Sequence, residues 1–293
     1  MEGLSVQGHL LPIVVFAVMI TVGIELKLEQ FKLLLMTPRV PILGTLIHTL
    51  CFPLITLGLV VGISQAGIVV SEATILGMLL IAACPSGGFS NVLAMIGKAN
   101  LPLSVLLTAI SSILSFLSVP LLIGAFSFVV AQLDQPIVVP IGATLGQLLV
   151  LVVIPVFLGM VWRHLQEARV AALADSLQKG AQIVLYVTIA LLIAESWDVM
   201  VIGIDEALGW SLLLCVLNVG VCLGIARLAR FEAKDAVTIA LEGAIRNLAV
   251  AFLVAANVLD RLDVAVLPTV YFLAMLIVGV LFAKTWHKWL TNP

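Results

Sequence analysis

Apolar residues run along this chain in long blocks, separated by short stretches that hold most of the charge. Nine blocks are read, over roughly 8–26, 40–63, 73–97, 102–129, 137–162, 181–197, 208–229, 236–259 and 265–286. Blocks of this length suit helices that cross a bilayer, and they exceed the span of a barrel strand. The pattern predicts an all-α integral membrane protein of nine transmembrane helices, folded as one unit over 1–293 with no second, soluble domain.

Two blocks are interrupted at their middles. The third contains Cys84-Pro85-Ser86-Gly87-Gly88-Phe89-Ser90-Asn91. Proline removes an amide donor and two glycines relax the backbone, so a continuous helix is disfavoured there. Unwound backbone persists at membrane depth only against protein or a wet cavity. The stretch therefore reads either as a kink whose polar groups are satisfied locally, or as the binding site of a discontinuous helix. The eighth block contains Leu241-Glu242-Gly243-Ala244-Ile245-Arg246-Asn247. Glu and Arg at membrane depth each cost about 2.5–3.5 kcal/mol on insertion scales. Four residues apart, they either pair along an intact helix or flank a second break at Gly243. One block follows the third within the first half of the chain, and one follows the eighth in the second half. The two interrupted blocks run in opposite senses, the arrangement of an inverted repeat in which two discontinuous helices meet near the midplane.

The fourth block carries Ser104, Thr108, Ser111 or Ser112, Ser115 and Ser118 on one helical face. Such a stripe serves close packing or back-bonding as readily as ligand binding. Lys27 to Met36 is short and amphipathic and suits the inner membrane surface. Trp286 and Trp289 fall where an interfacial belt would lie, and Glu195 and Asp198 end the sixth block facing water.

Composition agrees: 62% of residues are hydrophobic and 10% charged, with a mean hydropathy of +1.27. A net charge of −2 offers nothing to nucleic acid, and no obligate protein partner is evident beyond the lipid bilayer. Twelve of the fourteen Lys and Arg fall in alternate loops, after blocks 1, 3, 5, 7 and 9. The positive-inside rule then predicts a multi-pass cell-membrane protein with its N-terminus outside and its C-terminus cytoplasmic. Met1 to Gln7 carries Glu2 and no Lys or Arg, so the first block is expected to be retained rather than cleaved as a signal peptide. Cys51, Cys84, Cys215 and Cys222 lie inside apolar blocks without metal-ligand spacing and read as core residues. With His48 the lone block-embedded histidine and no HExxH or paired aspartates, an intramembrane enzyme is not expected. A channel is disfavoured because no repeated pore-lining charge is present.

From Leu11 to the last block the sequence resembles the bile acid:sodium symporter family. The resemblance rests on Pro-Ser-Gly-Gly-Phe-Ser-Asn at 85–91, on Ser104 and Thr108, and on a degraded Glu-Gly-Ala-Ile-Arg-Asn at 242–247. It implies a core domain with two crossed broken helices, formed by 40–63, 73–97, 102–129, 208–229, 236–259 and 265–286. A panel domain of 8–26, 137–162 and 181–197 would move against it. The family's first sodium site falls here on Ser90, Asn91, Ser104, Thr108 and Glu242, all oxygen donors, with one carboxylate for one monovalent ion. The second site departs from the family: its two glutamines are His48 and Arg246 here, and a motif glycine is Ala244. Gly88, Arg246, His48 and the retained Asn247 are the expected substrate-facing residues.

The function expected is secondary active transport: symport of one sodium with an organic anion, a carboxylate or sulfonate that is bile-acid-like or a small metabolite. The alternative is a sodium-independent or proton-linked permease or exporter of the same superfamily, with Arg246 on the anion and His48 titrating.

Overall fold

The computed structural model of the chain describes residues 6–26, 36–131 and 141–290, all of them helical or in short connections. Residues 27–35, which hold Lys27, Lys32 and nearly all of the amphipathic stretch, lie outside the described residues, as does the side chain of Trp289. Helix α1 (Leu11–Glu25) follows a π-turn at Val6–Leu10. Then come α2 (Arg39–Gln65), α3 (Glu72–Ala83), α4 (Phe89–Ile96) and α5 (Leu101–Ala131). A π-turn at Leu149–Val153 joins α6 (Ile141–Leu148) to α7 (Ile154–Leu165). They lead into α8 (Glu167–Glu195), α9 (Trp197–Leu228), α10 (Ala233–Ala244), α11 (Leu248–Leu253) and α12 (Val266–Thr285).

Six helical stretches are long and apolar enough to cross a bilayer: Gly8–Glu25, Arg39–Gln65, Gly142–Leu165, Glu167–Glu195, Trp197–Leu228 and Leu262–Thr285. Helix α5 is a seventh, bent by 63° between Leu101–Ser115 and Leu117–Phe126. The bend has a local cause in Pro120, whose ring crowds the carbonyl four residues back. The other two predicted blocks are each split into shorter helices, α3 with α4 and α10 with α11. Helices α8 and α9 both begin earlier than their apolar blocks. Their first turns carry Glu167, Arg169 and Asp175, then Asp198, Asp205 and Glu206, which an apolar count passes over. Glu195 and Asp198 are exposed where those two helices meet.

The split helices lie at the centre of the molecule. Every residue from Leu76 to Gly87 and from Ala236 to Ala256 is buried. Around them pack α2, α5, α9 and α12, while α1, α7 and α8 form a three-helix group at one side. That group is joined closely at two glycines. A Cβ on Gly23 would stand 2.0 Å from the carbonyl oxygen of Val156, and one on Gly159 would stand 2.2 Å from that of Ile20. The obstacle is partner backbone, which cannot swing aside. Gly159→Ala should therefore cost about 1–3 kcal/mol through overpacking, measured as a lower melting temperature of the purified protein.

Trp286 differs from expectation. It is buried rather than interfacial, and its indole Nε1 donates to the carbonyl of Gly97 at 2.7 Å. The tryptophan caps the end of α4 instead of anchoring the chain in headgroups. The four cysteines are buried and free.

Candidate functional site

The first break has a local cause in Pro85, whereas the second falls after Ala244, the helix running on through Gly243 where the break was expected. The residue before a proline is driven out of helical geometry, and Cys84 is extended at φ −63°, ψ 148°. In the other break Ile245 is extended at φ −89°, ψ 112°, and Asn247 starts the next helix by accepting from the Val250 amide at 3.3 Å. The two extended segments run antiparallel and pair with each other. Gly87 N–H donates to Ile245 O at 3.1 Å, Asn247 N–H donates to Pro85 O at 2.9 Å, and Ser86 and Arg246 form the bridge between. Backbone groups that hydrocarbon could not satisfy thus satisfy one another. Gly87 makes the approach possible, since a Cβ there would meet Arg246 O at 2.9 Å.

The last carbonyls of the split helices are capped by side chains from elsewhere. Asn218 Nδ2 donates to Gly243 O, and Tyr271 Oη donates to Ala244 O at 2.8 Å. Arg246 Nη1 donates to Cys84 O at 3.0 Å, and Nη2 donates to His48 O at 2.9 Å. Its guanidinium lies over the Phe52 ring, 4.6 Å from the centroid. Arg246 therefore sits at the negative end of the α3 dipole, among carbonyls. It forms no ion pair with Glu242, so the pairing along an intact helix does not occur.

The crossing presents Glu242 to a ring of hydroxyls. Its Oε1 accepts from Ser104 Oγ at 2.5 Å, and its Oε2 accepts from Ser86 Oγ at 2.5 Å and Thr108 Oγ1 at 2.9 Å. Ser90 Oγ lies 3.2 Å from Thr108 Oγ1, and Ser104 Oγ is 2.9 Å from Asn91 Oδ1. Ser90, Asn91, Ser104, Thr108 and Glu242 come together from α4, α5 and α10. Ser86, not assigned a role from sequence, completes the ring. The serine stripe on α5 divides here: Ser104 and Thr108 face Glu242, whereas Ser111 and Ser115 bond back to the carbonyls of Thr108 and Ser112.

Glu242 is fully buried, and among the described residues it has no basic partner within 4.0 Å. It also lies in the last turn of α10, where the helix dipole disfavours an anion. Hydroxyls rotate, so each of them can turn a lone pair toward a cation. The donor set is oxygen throughout with one carboxylate, which fits a hard monovalent ion. Extending the calcium and magnesium rule of oxygen ligation to such an ion is by analogy.

Two cavities adjoin the crossing. The smaller, about 50 Å³, is lined by Gly88, Arg246 and Asn247 at the crossing and by Thr21, Gln178 and Gln182 opposite. The larger, about 400 Å³, is lined by Gly88 and Asn91 on one side and by Glu25, Arg163, Asp175 and Gln178 on the other. Of the four expected substrate-facing residues, Gly88, Arg246 and Asn247 reach the smaller cavity. His48 lines neither; its imidazole is buried, with neither nitrogen partnered among the described residues. Gln178 and Gln182 escaped sequence reasoning because amides on a mixed-polarity helix carry no distinguishing signal.

A family model described as the sodium bile acid symporter family matches residues 12–202, a stretch that holds Ser90, Asn91, Ser104 and Thr108 and stops before Glu242. An uncharacterised sodium-dependent transporter of Bacillus subtilis (strain 168), YocS, is 25% identical over 232 residues, 78% of this chain and 68% of the relative. The ileal sodium/bile acid cotransporter of Cricetulus griseus is 27% identical over 247 residues, 83% of this chain and 67% of the relative. A probable chloroplastic sodium/metabolite cotransporter of Oryza sativa subsp. japonica is 33% identical over 104 residues, 36% of this chain and 24% of the relative.

Proposed function

The chain belongs to the sodium bile acid symporter family and is a transporter rather than an enzyme, and within that frame we propose that it couples one sodium to the symport of an organic anion by alternating access. One observation carries the reading: a buried carboxylate, ringed by hydroxyls from separate elements, with no basic partner among the described residues. Sodium is held as cargo by Glu242, Ser90, Asn91, Ser104 and Thr108. The anion, a carboxylate or sulfonate, lies in the small cavity near Gly88, Asn247 and Arg246, beside the N-terminal ends of α4 and α11.

In this reading the chain crosses the membrane nine times, with the first break-containing half inverted relative to the second. Helices α1, α6–α7 and α8 form the panel, and the remaining helices form the core. With the N-terminus outside, the larger cavity opens to the cytoplasm, because Arg163 and the end of α1 lie on the basic side. The proton-linked alternative draws support from one feature, the buried imidazole of His48, unpartnered among the described residues, beside the Arg246 tie.

A screen of organic acids by thermal stabilisation, with sodium or with choline, should find an acid whose gain depends on sodium. Uptake of that acid into proteoliposomes should then rise with an inward sodium gradient and not with a proton gradient; the reverse pattern selects the alternative. A fixed guanidinium in place of a second ion also sets the stoichiometry. One sodium with a monoanion moves no net charge, whereas two would feel about 2.3 kcal/mol per 100 mV. The sodium dependence should show a Hill coefficient near one and uptake should ignore imposed voltage. A coefficient clearly above one with voltage-driven uptake would end the one-ion reading.

A further inference from the structure

The ring around Glu242 is closed on almost every side. Ser86, Ser90, Ser104 and Glu242 have no exposed surface, and Thr108 retains 3%. Asn91 is the ring member that also lines a described cavity, the larger one. Its amide faces both ways: Oδ1 lies 2.9 Å from Ser104 Oγ, sharing with Glu242 that hydroxyl's single proton, while Nδ2 donates to Glu25 Oε2 at 3.4 Å. Glu25 lies on the wall of the same cavity. A hydrogen-bonded line Glu242–Ser104–Asn91–Glu25 thus runs from the buried ring to the cavity, crossing from α10 through α5 and α4 to α1.

Glu25 is badly placed for any purpose internal to its helix. It is the last residue of α1, between buried Ile24 and Leu26, where the dipole disfavours a negative charge. It forms no ion pair among the described residues. The cavity's other acid, Asp175, is held by Lys179 at 2.7 Å, and Arg163 pairs with neither. A half-buried carboxylate without a counter-charge among the described residues, joined to the one ring member that meets the cavity, is suited to receive a cation as that cation sheds its water.

We propose that Glu25 is a further cation-handling residue, the carboxylate at the mouth through which sodium passes between the larger cavity and the Glu242 ring. The proposal rests on the sodium-coupled reading above. Sodium leaving the ring exchanges Ser104 and Asn91 oxygens for Asn91 and Glu25 oxygens before it is fully hydrated. The negative charge at the mouth also raises the local concentration of sodium and so its rate of entry.

Glu25→Gln tests this, because the glutamine keeps an oxygen to accept from Asn91 and removes the charge alone. The probe is sodium chloride, against choline chloride at constant ionic strength. Two quantities are read: the half-saturating sodium for thermal stabilisation of the purified protein, and sodium-22 exchange in proteoliposomes. A charge lost at a partly buried site should raise half-saturating sodium by about three- to tenfold and slow exchange at least as much. The sodium-free melting temperature should hold, and Glu25→Asp should stay near the unmodified chain. If Glu25→Gln leaves both quantities within about twofold, the proposal is overturned. It is equally overturned if the variant melts earlier without moving the sodium dependence, since Glu25 would then only fasten α1 to α4. An unmodified chain that neither binds nor exchanges sodium would instead remove the parent reading, and this one with it.

Discussion

Replacing Glu242 by alanine is expected to abolish sodium-stimulated uptake while the protein still inserts in the membrane. The substitution leaves Ser86, Ser104 and Thr108 without their acceptor and removes the ring's one negative charge. A cation would then face neutral oxygens alone. Glu242→Gln separates charge from packing, because it preserves volume and offers one oxygen to the hydroxyls. Two unit charges about 4 Å apart at an effective dielectric of 20 attract by about 4 kcal/mol, so the glutamine should weaken sodium binding by about a thousandfold. Sodium titration of thermal stabilisation gives this shift directly, with expression and melting temperature of each variant as controls for folding. A glutamine variant that keeps its half-saturating sodium within about tenfold would strip Glu242 of the assigned role.

In the eighth apolar block the break falls at Ile245, past Gly243, which stays helical, whereas the break in the third was open to sequence reasoning because Pro85 acts on the backbone of the residue before it. Local chemistry decides a local outcome. The ring residues were open for a different reason: a glutamate and a run of hydroxyls stand out against 62% hydrophobic composition, and the family resemblance said which of them to group. Arg246 shows the opposite case. Its partners are the carbonyls of Cys84 and His48, and every residue type carries a carbonyl. Nothing in the residue names marked those two as acceptors, so the nearby Glu242 looked like the natural counter-charge. Trp286 misled in the same way, since its acceptor is the backbone of Gly97. Ser86 was visible inside the motif but its direction was not. An extended residue turns its side chain according to the pairing partner, and that pairing spans 160 positions of sequence between Ser86 and Arg246. Glu25 carried no signal because an acid at a helix end is ordinary until the cavity beside it is known.

Arg246→Ala is expected to be the most destabilising single change at the crossing. Removing the guanidinium takes a donor from two buried carbonyls; that of Cys84, beyond the end of α3, costs about 1–3 kcal/mol when unsatisfied, while that of His48 stays within the α2 helix. The contact with Phe52 adds about 2 kcal/mol for a desolvated cation over a ring. A void remains where a large buried side chain stood, at a point where three elements meet. The desolvation relieved by removing a buried cation opposes these losses, but the α3 terminus already compensated that charge, so the relief is the smaller effect. Against a total stability of about 5–15 kcal/mol, the variant should accumulate poorly or melt far below the unmodified chain. Arg246→Lys gives a graded, measurable version. It retains the positive charge, yet a single ammonium cannot reproduce the planar fork that reaches Cys84 and His48 together while lying over Phe52. If Arg246 ties the crossing, the lysine variant melts lower with no substrate present, and its sodium dependence changes little. If the charge serves the anion alone, melting holds and only the half-saturating substrate concentration rises. Equal melting temperatures for the alanine, lysine and unmodified proteins would remove the structural role outright.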